Sequence, residues 1–148
     1  MSRNKKIAIV AVVCLFATTV AIAGSAHFLK CSKAAQGDNL NVSFKIAGLG
    51  NETTCVTVSG IGTATYACIN GGDKNPSAAN KRTVSAEVSA TDCFTPHNGS
   101  ISGTLTLTAP GPGTFSCPPG QKLILVAGSV SYSNVKAVDT THNLSCTP

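Results

Sequence analysis

By type, the residues best suited to chemistry in this chain are three histidines: His27, His97 and His142. Imidazole is a good copper ligand. A histidine at the first position of a mature chain can chelate copper through its amino group and its ring nitrogen together. Cleavage after Ala26 would place His27 there, and His97 or His142 would supply the second imidazole of a histidine brace. Copper binding, or a copper-dependent oxidation, is one expectation on this basis. The other gives all three histidines ordinary solvent-facing places and no cofactor. The six carboxylates (Asp38, Glu52, Asp73, Glu87, Asp92 and Asp139) fall one per segment. No pair of them suggests glycoside hydrolysis, and the many serines include no G-x-S-x-G elbow. No catalytic residue is assigned.

Cysteines carry a stronger message. Cys31, Cys55, Cys68, Cys93, Cys117 and Cys146 lie beyond the N-terminal apolar segment, and Cys14 lies within it. No two of the six are spaced as zinc ligands usually are. An even number in a short exported domain implies three disulfides, for which 15 connectivities exist. The turn-rich segments beside Cys68 and Cys117 single out that pair as the one expected bridge.

Export is read from the N-terminus. Arg3, Lys5 and Lys6 precede an apolar run from Ile7 to Ala23, broken only by Thr18 and Thr19, and small residues follow in Ala23-Gly24-Ser25-Ala26. This is the pattern of a secretory signal peptide, and the run is short for a membrane span of roughly 20 apolar residues. The expected organisation is a signal peptide over 1–26 and one secreted domain over 27–148, with no membrane anchor after cleavage. A cut after Ala23 satisfies the small-x-small rule nearly as well. Three of the eleven basic residues leave with the leader. The remainder is only mildly basic and lacks the clustered stripe that nucleic acid would require.

The elements that would position these residues are strands. Leu40, Val42, Phe44 and Ile46 alternate with polar residues, the period of a half-buried strand. Thr54–Ser59 and Thr63–Ile69 follow, parted at Gly60 and Gly62 by an expected turn or bulge. Thr83–Ala90, Ile101–Leu107, Lys122–Ala127 and Val130–Val138 complete the set, with Lys122–Ala127 expected to be a central buried strand. Asn98-Gly99 is a hairpin signal of type I′. Residues 70–81 and 109–120 read as long Gly/Pro-rich loops. Asn70, Asp73, Lys74 and Asn75 in the first and Phe115 in the second are candidate binding residues, since rigid sheets present binding groups on loops. The expected fold is all-β: a disulfide-stapled antiparallel β-sandwich, immunoglobulin-like in its finer topology, with a small β-barrel as the alternative.

Several stretches extend this reading. Phe44-Lys45-Ile46-Ala47-Gly48-Leu49-Gly50, Tyr66-Ala67-Cys68-Ile69-Asn70-Gly71-Gly72, Asn75–Lys81, Pro110–Gln121 and Val130–Val135 resemble a family of small exported proteins of actinomycete-type soil bacteria. The resemblance spans most of the chain beyond the leader. It implies secretion and a compact β domain, and no particular activity. The architecture and the Asn-Gly-Ser hairpin are also similar to the enediyne-binding apoproteins of the neocarzinostatin type.

The leading functional expectation is a secreted, non-catalytic binding or structural module acting outside the cell. Its partner would be an extracellular protein, polymer or small molecule, with nucleic acid excluded. The alternatives are the copper protein built on His27, and a secreted inhibitor or effector presenting a disulfide-braced loop.

Overall fold

The alternation that begins at Leu40 sends Leu40, Val42, Phe44 and Ile46 to one face, and all four are buried. The computed structural model describes residues 24–70 and 80–148 of the chain. Eight strands follow in order: β1 (His27–Gln36), β2 (Asn39–Ala47), β3 (Thr54–Ile69), β4 (Lys81–Phe94), β5 (Ser100–Leu107), β6 (Lys122–Leu125), β7 (Ser131–Asp139) and β8 (Leu144–Cys146). They form two antiparallel sheets. The first has the order β1-β2-β5, and the second β4-β3-β7-β8, with β6 on the far end of β3. The sheets face each other as a sandwich. The barrel alternative is set aside because the edge strands of one sheet share no ladder with those of the other.

Core residues come from the inward positions of both sheets: β2, Ile101, Leu105 and Leu107 of β5, Val56 and Val58 of β3, and Val135 and Ala137 of β7. Phe44 and Phe94 meet edge to face across this layer, ring centroids 5.5 Å apart, an arrangement aromatic pairs prefer. Their rings occupy the space a side chain at position 103 would fill: a methyl on Gly103 would stand 2.8 Å from both.

Each disulfide closes a different joint. Cys31–Cys146 ties β1 to β8, and so one sheet to the other. Cys55–Cys93 links directly opposed residues of β3 and β4, with Cα atoms 3.9 Å apart. The Cys55 N–H and C=O turn the other way, to Thr141 and Thr140. The pair is therefore a non-hydrogen-bonded one, the closer kind in an antiparallel ladder. Cys68–Cys117, the bridge singled out above, pins the β5–β6 loop to the end of β3.

Four sequence expectations are corrected. Of the turn or bulge expected at Gly60 and Gly62, the bulge is present at Gly60 and the turn is not: β3 runs unbroken for 16 residues. The glycines are sites of close approach, since a methyl on Gly60 would meet the Ser133 carbonyl oxygen at 3.1 Å and one on Gly62 the Pro110 ring at 2.9 Å. Only the pairing with β7 slips there, between Ser59 and Ile61. Lys122–Ala127 is not a central strand. Its apolar run is half-buried because β6 pairs four residues with the end of β3 and nothing else. Below β6, Ser129 replaces a strand residue: its Oγ accepts from Thr65 N–H at 3.0 Å and donates to Thr65 C=O at 3.3 Å. Val130–Val138 is not the last strand, since β8 follows. Asn98 and Gly99 both have positive φ, as type I′ needs, but their turn links β4 of one sheet to β5 of the other.

Tyr132, near the start of β7, points its hydroxyl at the backbone oxygens of Asp38, 2.8 Å, and Leu107, 3.1 Å. Burial first, and the Asp38 carboxylate second, push its phenol above the ordinary 10.0. A raised folded pKa contributes stability that is complete below about pH 10 and is lost as pH rises through the folded value. Tyr132→Phe is expected to cost about 1 kcal/mol at neutral pH. It should also flatten the alkaline decline, read as thermal midpoints by circular dichroism between pH 8 and 11.5. A decline as steep as that of the parent chain would remove Tyr132 as its source.

Candidate functional site

The candidate groups fall at the two ends of the sandwich. At one end His27 opens β1 opposite Ala47, and Ala47 pairs on its other side with Ser100. His97 lies in the turn before β5, bridged through its backbone to Ser100. His142 lies in the β7–β8 turn at the same end. The His27 ring donates from Nδ1 to the Ser25 carbonyl oxygen at 2.8 Å. The His142 ring donates from Nδ1 to Asp139 Oδ2 at 2.9 Å. The fold thus brings all three histidines to one end without uniting them. Among the described residues, no three His, Cys, Asp or Glu side chains are grouped to hold a metal.

Asp139 is the one buried carboxylate of that end. It closes β7 with no exposed surface. Its Oδ1 accepts the backbone N–H groups of Thr141 and His142 at 2.9 and 3.0 Å. A carboxylate doing this organises the tight turn that follows it, an Asx-type arrangement. The chemistry of the pair is therefore the shaping of the β7–β8 turn.

The opposite end holds Asn70 and the β5–β6 loop. Asn70 follows β3 and is exposed. Phe115 is half-buried, its N–H donating to Pro112 C=O at 3.1 Å. The Tyr66 hydroxyl donates to Pro110 C=O at 2.7 Å, so the β5–β6 loop is held at two points, this one and Cys117. Asp73, Lys74 and Asn75 lie outside the described residues.

A third surface was missed by sequence reasoning: the outward face of the three-stranded sheet. In β1 the pairing slips between Phe28 and Lys30, and Leu29 is left extra. Such a bulge reverses the phase of every side chain beyond it. Phe28 is paired with core-facing Ile46, whereas Lys30 comes to lie beside outward-facing Lys45 and Cys31 beside buried Phe44. One inserted residue therefore aims Cys31 at its disulfide partner and Lys30 at solvent.

The result is two lysines directly opposed across a ladder, both on the outward face. Around them lie Ser43, Ser102 and Thr104, lining with Phe44 and Gly103 a shallow depression of ≈ 370 Å³. Ser43 Oγ and Thr104 Oγ1 share a hydrogen bond of 2.8 Å. Thr106 donates to the Asn41 side-chain oxygen, and Asn41 donates to Gln36, both at 2.7 Å. The outward positions of β2 and β5 carry hydroxyl, amide and ammonium groups and no carboxylate. Like charges at directly opposed positions disfavour pairing, and Lys30 and Lys45 stand opposite each other in this ladder. The polar alternation of Asn41, Ser43 and Lys45 was visible in the sequence, but β1 was not read as a strand, and Lys30 had no register.

Among the described residues no helix is long and apolar enough to cross a membrane. The chain matches no family model, no curated protein and no solved structure.

Proposed function

We propose that this protein is an exported, non-catalytic binding module that works outside the cell and engages an acidic polysaccharide on the outward face of its three-stranded sheet. The observation that carries the reading is the opposition of Lys30 and Lys45 over a depression lined by hydroxyls. Ammonium groups match the carboxylates of such a polymer. Ser43, Ser102 and Thr104 match its ring hydroxyls, which distinguishes it from a polyphosphate. Three disulfides and a leader-like N-terminus support an extracellular setting.

The finer topology of the scaffold belongs to the same proposal. The order β1-β2-β5 against β4-β3-β7-β8 follows strands A-B-E against C′-C-F-G of an immunoglobulin-like sandwich. Tyr132, bonded back to Leu107 at the end of the strand in the E position, plays the part of a tyrosine corner. On this reading, binding uses a sheet face rather than the loops.

Electrophoresis through gels containing polygalacturonate or dextran tests it. The protein is expected to be retarded by polygalacturonate and not by dextran, with the retardation fading as salt is added. Lys30→Gln with Lys45→Gln should weaken binding about tenfold or more and leave the stability of the domain unchanged, because both side chains are exposed. Equal retardation by dextran, or an unaffected double variant, would contradict the proposal.

A further inference from the structure

We infer that the leader is cut after Ala23, so that the mature chain begins at Gly24 and residues 24–26 belong to the folded domain. The inference rests on the export reading and chooses between two bonds that both fit the small-x-small rule: Ala21-x-Ala23 and Gly24-x-Ala26.

Three contacts distinguish them. Gly48 follows β2 with φ +79°, and a methyl placed on it would stand 2.5 Å from the Gly24 carbonyl oxygen and 2.6 Å from that of Ser25. The backbone of residues 24 and 25 thus lies directly against a glycine, in space that only a glycine leaves free. Ala26 is half-buried and packs on the hydrophobic core. Ser25 contributes the carbonyl that holds the His27 ring at 2.8 Å. Gly24 also forms part of the wall of a hollow of ≈ 440 Å³, beside Asn51, Asn98 and Gly99.

A cut after Ala26 would remove all of these. It would strip the Ala26 methyl from the core, uncover Gly48, release the His27 ring and place an ammonium on the first paired residue of β1. A cut after Ala23 keeps every one of them. It also bears on the histidine brace. In a chain that starts at Gly24 the His27 nitrogen is a peptide N–H, so His27 has no amino group with which to form a histidine brace.

The test is intact mass and N-terminal sequencing of the protein exported by an expressing host, with Ala23→Leu and Ala26→Leu beside the parent chain. The expected start is Gly24 for the parent and for Ala26→Leu, while Ala23→Leu blocks or displaces the cut. A parent chain starting at His27 would overturn the inference and leave export standing. A chain retained in cells with Met1 in place would overturn export as well.

Discussion

Replacing Cys31 and Cys146 together by alanine is expected to lower the stability of the domain by about 4 kcal/mol. The bridge spans 115 residues, and the chain-entropy account of a cross-link this long gives a value of that order. Its place in the fold adds a local consequence. β8 is three residues long and pairs only with β7, through three residue pairs, and β1 is an edge strand held by β2 alone. With the bridge gone, the open side of the sandwich between β1 and β8 loses its only covalent tie. Hydrogen exchange should therefore quicken first at Leu144–Cys146 and along β1, while β3 stays protected by neighbours on both edges. Denaturant unfolding followed by exchange mass spectrometry reads both effects. Uniform loss of protection, with no lead at β8, would contradict the local part.

The second large effect is expected at Asp139. Its carboxylate is fully buried and accepts from Thr141 N–H, His142 N–H and the His142 ring. Asp139→Ala leaves the β7–β8 turn without its acceptor and should cost about 3 kcal/mol. Asp139→Asn keeps an oxygen for the two backbone donors and should cost about 1 kcal/mol. The His142 ring is partly exposed, its side chain 23% accessible, so water takes over part of its bond and limits the loss. Urea midpoints of the two variants give the comparison. Equal costs for Ala and Asn would place the energy in charge rather than in the backbone bonds.

How much of this was readable beforehand follows from what each signal encodes. The period-two runs gave β2 and β5 nearly to the residue, because one buried face leaves a clean alternation in sequence. Cysteine parity gave three bridges, since pairing needs only an even count in an oxidising setting. At Gly60 the expected bulge is there against β7 and the expected turn is not: turn-forming freedom and close packing ask for the same residue, and only tertiary contacts tell them apart. β1 escaped notice because edge exposure and the Leu29 bulge erase its alternation. With β1 went Lys30, and with Lys30 the candidate surface. The histidines were chosen by chemical type, and type alone says nothing of whether a strand start and two turns at one end bring their rings together.

Lys33 shows how the scaffold guards itself. It pairs with core-facing Val42 yet sits exposed at the edge, so its charge points along the inner side of an open strand. Inward-pointing charges at an edge discourage pairing with another chain. On the 14-residue edge strand β4, Asp92 plays a related part, its side chain accepting the Cys93 N–H at 2.8 Å.

The most direct measurement of acidic-polysaccharide binding on the outward face of the three-stranded sheet is a proton–nitrogen NMR titration of the labelled protein with an oligogalacturonate. The amides expected to shift are those of Lys30, Ser43–Lys45 and Ser102–Thr104, with those at both ends of the sandwich unmoved. Shifts confined to residues 109–120 or to the histidine end, or no shifts at all, would contradict the account.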